Sequence, residues 1–176
     1  LRREQELLLN GRGLPDVRTP LAGRPVAVVG EPDHSELAAI REFVREQDPA
    51  VIAVGSAADD LLGLSWVPNV VVVTAGVPAS VPSADALRAA TDVVIVTPRG
   101  GSTREQEAVQ RMGIAPLHVE SSATSEDIAL LLAERHDASL IVGVGLRARL
   151  EDFLDNQRAA RASTFATRLK VGSRLV

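Results

Sequence analysis

Six short runs of β-branched and aliphatic residues, at 26–29, 51–54, 70–73, 93–96, 116–119 and 140–144, recur along the chain with helical segments between them. Most are apolar at every position rather than at every second one, which is the pattern of strands buried on both faces of a parallel sheet. Such a sheet needs helices above and below it. The segments between the runs supply them, with apolar residues at helical spacing in Leu37, Ile40, Phe43 and Val44, in Ala86, Leu87 and Ala90, in Ala108, Val109 and Met112, and in Ile128, Leu131 and Leu132. Start signals agree: Asp33 with Glu36, Ser102 with Glu105, and Thr124 with Asp127 each set a capping oxygen three residues before a carboxylate. The alternation therefore predicts an α/β fold, an open, doubly wound, mostly parallel sheet of about six strands joined by right-handed crossovers.

The remaining chain falls outside that alternation. Residues 1–9 are charged and then leucine-rich, and Asn10, Gly11 and Gly13 stop the run, so this segment reads as the end of a helix. Residues 12–24 carry Pro15, Pro20, Gly13 and Gly23 without an apolar period, the mark of a linker laid across the surface. The α/β core domain is expected over 25–176, with 1–24 as a helical extension and linker. After Val144 the spacing turns helical again at Leu150, Phe153 and Leu154, and at Ala162, Phe165, Ala166 and Leu169. The chain starts at Leu1 and stops in an apolar run, so it reads as a piece of a longer polypeptide. Its 176 residues suit a single domain.

Composition excludes several classes of function. A formal charge of −4 gives no general positive field to attract nucleic acid, and one Trp, three Phe and no Tyr leave few platforms for stacking bases. The absence of Cys removes disulfides, thiol nucleophiles and zinc–thiolate sites together. His34, His118 and His136 lack metal-ligand spacing, and His118, inside an expected strand, reads as a packed residue rather than a base. No run of apolar residues is long enough to span a bilayer. No Gly-x-Ser-x-Gly elbow accompanies a histidine and an acid, so nucleophilic hydrolysis has no support.

In an open α/β sheet, ligands sit beyond the carboxyl ends of the strands, so the loops after each strand hold the candidate site. Gly30, Glu31, Pro32 and Asp33 lack the spaced glycines of a dinucleotide site. Gly55, Ser56, Ala57, Ala58, Asp59 and Asp60 open a helix with small residues, which suits either the approach of a phosphate to backbone amides or a tight turn with acids favouring the helix dipole. Arg99, Gly100, Gly101 and Ser102 join a strand to a helix with an arginine and two glycines, suited to an anion or required only sterically. No Gly-Lys-Ser/Thr follows, so this is not a P-loop. From Ser121 to Asp127, hydroxyls including Ser125 cluster with Glu126 and Asp127 and offer oxygen ligands for a divalent ion, or simply cap a helix. From Arg147 to Arg161, mixed charges at helical spacing read as a solvated, salt-bridged face.

Read in order, these loops resemble the catalytic domain of thiamine pyrophosphokinase. More narrowly, the chain resembles the SteA-like cytokinetic ring proteins of actinobacteria, which contain such a domain. The similarity runs from Arg3 through the leucines to Asn10 and Gly11, continues at Pro15 to Thr19, and is strongest at 124–133, 140–145, 153–155 and 162–172. The departures carry the functional expectation. Where the kinase pattern has Asp-Gly-Gly-Ala-Asp, this chain has Gly55, Ser56, Ala57, Ala58 and Asp59, keeping the last two. Its Gly-Asp-x-Asp-Ser stretch is replaced by Val73, Thr74, Ala75, Gly76 and Val77, and its later Thr-Asp by Thr124 and Ser125. Pyrophosphoryl transfer relies on Mg²⁺ to neutralise charge developing on the phosphates, so losing those carboxylates predicts no kinase activity, no catalytic residues and no metal site.

What the resemblance implies is a non-catalytic scaffold or regulatory domain in cell division, cytoplasmic and at the septum. It implies a homodimer, a SteB-like membrane partner, an indirect influence on peptidoglycan hydrolases, and a membrane tether following Val176. Two other readings stay open at this point. One is a phosphoryl or pyrophosphoryl transferase with Asp59, Asp60, Glu126 and Asp127 as substitute metal ligands. The other is a nucleotide sensor without turnover, built on residues 55–58 and 99–102.

Overall fold

The computed structural model describes residues 2–77, 81–146, 167 and 170–176. Strands β1 (Pro25–Val29), β2 (Ala50–Val54), β3 (Val70–Thr74), β4 (Asp92–Thr97), β5 (Leu117–Glu120) and β6 (Leu140–Val144) form one sheet in the order β5-β4-β3-β2-β1-β6. Every pairing is parallel. The expected open, doubly wound parallel sheet is therefore the observed fold.

The strand order dictates which face each helix covers. From β1 to β5 the chain steps in a single direction, so right-handed crossovers leave α2 (His34–Gln47), α3 (Ala57–Gly63), α4 (Ala84–Ala89) and α5 (Arg104–Arg111) on the same face. The return from β5 to β6 runs the opposite way and places α6 (Ser125–Arg135) on the other face. Two core layers result. Ala27, Val29, Ala53, Val71, Val73 and Ile95 pack with Ile40, Leu61, Leu87 and Val109, whereas Val26, Val28, Ile52, Val72 and Val94 pack with Ile128, Leu131 and Leu132. Alternate residues of one strand enter opposite layers, which is why the strands read as continuously apolar.

Helix α6 is buried from Ile128 to Ala133, so it needs cover on its outer side. Part of that cover comes from the N-terminal segment. Leu7 of α1 (Arg2–Asn10), Leu14 and Leu21 are all buried in the same layer as α6. The segment 12–24, expected as a surface linker, is thus partly built into the core. Its anchor is Asp92 at the start of β4: the Thr19 N–H and hydroxyl donate to Oδ2 at 2.9 and 2.8 Å, and the Arg18 N–H and Nε donate to Oδ1 at 3.1 and 3.2 Å.

At the opposite edge of the sheet, Arg174 to Val176 add to β6. The Ile141 N–H donates to the Arg174 carbonyl at 2.7 Å, and the Gly143 N–H to the Val176 carbonyl at 2.9 Å. The helices expected over 147–169 and the charged face from Arg147 to Arg161 lie, apart from Thr167, outside the described residues. Among the described residues no helix is long and apolar enough to cross a membrane.

Candidate functional site at the carboxyl edge of the sheet

The strand order reverses at β1, whose neighbours are β2 and β6, so the crevice between β1 and β6 is where an open α/β sheet would ordinarily take a ligand. Here the two loops are tied together. The Gly30 N–H donates to the Val144 carbonyl and the Glu31 N–H to the Gly145 carbonyl, both at 2.8 Å. Gly145 has φ +61°, and a Cβ there would lie 2.2 Å from the Pro32 nitrogen, so backbone rests on backbone. A Cβ on Gly30 would sit 2.6 Å from the Gly145 oxygen and 3.2 Å from Glu126 Oε1, which brings the first turn of α6 up to the same crevice.

The three candidate loops all lie along this carboxyl edge, after β2, β4 and β5, yet each is committed locally. In the first, Ala57 and Ala58 are fully buried, so the small residues let α3 press onto the sheet. Ser56 is the N-cap without a side-chain cap bond, and Gly55 donates its N–H to the Val72 carbonyl at 2.9 Å. The Asp59 carboxylate accepts from the N–H and hydroxyl of Ser83, the N-cap of α4, while Asp60 is exposed.

In the second loop, the Gly101 N–H donates to the Pro98 carbonyl at 2.8 Å, and a Cβ on Gly101 would stand 2.7 Å from that oxygen, so Gly101 serves the turn. Ser102 Oγ accepts from the Arg104 N–H at 3.0 Å. The expected pairing of Ser102 with Glu105 does not form. Thr103 is the N-cap of α5, and Glu105 instead accepts from the Gly76 N–H at 2.9 Å, tying the β3–α4 loop to α5. Arg99 and Gly100 are exposed.

In the third loop, Thr124 and Asp127 form the expected capping box, with the Asp127 N–H donating to Thr124 Oγ1 at 3.1 Å and the Thr124 N–H to the Asp127 carboxylate at 3.3 Å. Ser125 is buried, and its hydroxyl meets that of Thr74 at the end of β3 in a short hydrogen bond. The fold thus brings together two neutral hydroxyls, one from the end of β3 and one from the first turn of α6.

A Mg²⁺ ion needs several hard oxygen ligands, at least one or two of them carboxylates. Asp59 serves α4 and Asp127 serves its own helix. Among the described residues no group of three or more acidic or histidine side chains is placed to hold a metal ion.

One further feature went unread in the sequence. A cleft of about 680 Å³ is lined by Glu6, Leu7, Arg12, Gly13, Arg99 and Glu120, between the N-terminal segment and the ends of β4 and β5. Of these, only Arg99 belongs to a loop singled out by its motif. Glu6 and Arg12 reach the cleft through the docking of α1, for which residues 1–12 give no local sign. His118, expected to be packed, is exposed on the edge strand β5, with Nε2 at 2.9 Å from Thr97 Oγ1.

Fold and loops together define a doubly wound α/β domain with its candidate chemistry along one sheet edge. Compared with family models and with curated proteins, the chain matches none.

Proposed function

We propose that this chain is a non-catalytic scaffold or regulatory domain of a SteA-like cell-division protein, acting through protein–protein assembly at the septum. The observation that carries the reading is the Thr74–Ser125 hydroxyl contact. Where the resembled kinases hold acids that gather Mg²⁺, this chain pairs two neutral hydroxyls with each other, and they bring no negative charge to a cation. Without that cation the charge developing on a transferring pyrophosphoryl group goes unneutralised, so a fold of this kind is left with binding as its work.

The same resemblance supplies the rest of the proposal. The protein works on the cytoplasmic side of the septum as a homodimer, with a SteB-like membrane partner and a membrane-tethered segment following this chain, and it influences peptidoglycan hydrolases indirectly. The test is localisation. A fluorescent fusion of the full-length protein in dividing actinobacterial cells gathers at septa, and the Thr74→Ala/Ser125→Ala variant gathers equally well. Diffuse fluorescence of the unaltered fusion throughout division overturns the cell-division role.

A further inference from the structure

We propose that the cleft between the N-terminal segment and the ends of β4 and β5 binds a small zwitterion, a molecule carrying one anionic and one ammonium group, and that binding holds the N-terminal segment to the core. The cleft has two walls of mixed charge. The N-terminal wall brings Glu6 and Arg12; the core wall brings Arg99, at the turn after β4, and Glu120, the last residue of β5. Each wall therefore carries one charge of each sign. None of the four has an ion-pair partner among the described residues.

The walls are held by independent contacts. Leu7 is buried against the layer of α6, and the Thr19–Asp92 bonds fix the strap that follows. On the other side, Glu120 is held by the β4–β5 register opposite Thr97, and the turn beside Arg99 is closed by the Gly101–Pro98 hydrogen bond. Four hydrated charges are thus presented across a cleft whose volume, about 680 Å³, lies in the range of small-molecule sites.

The charge pattern selects the ligand. A dianion facing Arg12 and Arg99 also meets Glu6 and Glu120, and a dication meets the reverse, so a ligand of single sign gathers repulsion along with attraction. An uncharged ligand strips water from four charges without replacing it. A ligand with both signs satisfies a guanidinium with its anionic end and a carboxylate with its ammonium, in charge-assisted hydrogen bonds. Since half of the contacts come from the N-terminal segment, such a ligand binds only its docked form and stabilises docking by mass action.

The test uses this chain and trialanine as the zwitterionic probe, with N-acetyl-trialanine amide, succinate and cadaverine as the neutral, dianionic and dicationic comparisons. Titration calorimetry reports binding, and the rate of tryptic cleavage after Arg12 reports docking. Trialanine is expected to bind saturably, to slow that cleavage, and to lose at least about tenfold in affinity in Arg99→Gln and in Glu120→Gln, which removes one charge from the exposed core wall in each case. Circular dichroism of both variants verifies that they fold. The proposal is overturned by absence of saturable trialanine binding up to about 10 mM, by equal or tighter binding of the blocked peptide, succinate or cadaverine, or by binding that both variants retain.

Discussion

The side-chain hydroxyls of Thr74 and Ser125, 51 positions apart in sequence, meet where the end of β3 faces the first turn of α6. Placing carboxylates at these two positions creates the negative pair that the unaltered chain lacks. A Thr74→Asp/Ser125→Asp variant is expected to melt at lower temperature than the parent without metal, because two like charges are forced together in a partly buried place. Added Mg²⁺ should restore much of that loss, while the parent's melting temperature stays unmoved by the ion. Thermal melts of both proteins with and without Mg²⁺ check this.

Asp92 holds the strap to the sheet. Burial raises the pKa of its carboxyl, but hydrogen bonds from the Thr19 hydroxyl and from the backbone and side chain of Arg18 and Thr19 outweigh it, so the net shift is downward from 3.8. A group with a lowered folded pKa contributes stability that is complete above its unfolded pKa and is lost as pH falls through the folded one. Asp92→Asn sets an amide donor against donors and should cost about 2 kcal/mol near neutral pH. Urea melts at a series of pH values should show the gap between variant and parent closing below about pH 4.

Gly145 presses on Pro32 in a left-handed conformation, with its would-be Cβ 2.2 Å from a backbone nitrogen. Because backbone cannot move aside as a flexible side chain does, Gly145→Ala should destabilise by about 2–4 kcal/mol. Gly63, in α3, meets nothing within 4 Å, so Gly63→Ala should be neutral or stabilise by up to about 1 kcal/mol. Chemical denaturation of the two variants side by side separates the effect of close approach from that of glycine as such.

The Thr124 cap supports the buried helix α6. Thr124→Ala leaves the Asp127 N–H without its side-chain acceptor and should cost about 1 kcal/mol, while Thr124→Ser should keep nearly all of the parent's stability. Equilibrium unfolding of both variants measures the difference.

Most strands were legible in the sequence because burial on both faces leaves few polar residues in them; the edge strand β5, with His118 and Glu120 exposed, departs from that pattern. The run at 140–144 coincides with β6, and the others differ from their strands by a residue at one end or at both. Local capping chemistry was equally readable at Asp33 and Thr124, where both partners lie within one turn. At Ser102 it misled, because Glu105 finds a partner across the fold in the Gly76 N–H. The strap was hidden for the same reason: Leu14, Thr19 and Leu21 have no periodic spacing, and the carboxylate that fixes Thr19 stands 73 positions away. In the candidate site, motif reading found loops after strands, including Arg99, but had no means of seeing that α1 would bring Glu6 and Arg12 opposite them.

The proposed role is recognition rather than transfer, and a turnover assay tests it most directly. Purified chain incubated with ATP, thiamine and Mg²⁺ should release neither AMP nor thiamine pyrophosphate above the level of a heat-denatured control. Steady Mg²⁺-dependent formation of AMP with thiamine pyrophosphate, removed when Mg²⁺ is chelated, would contradict it.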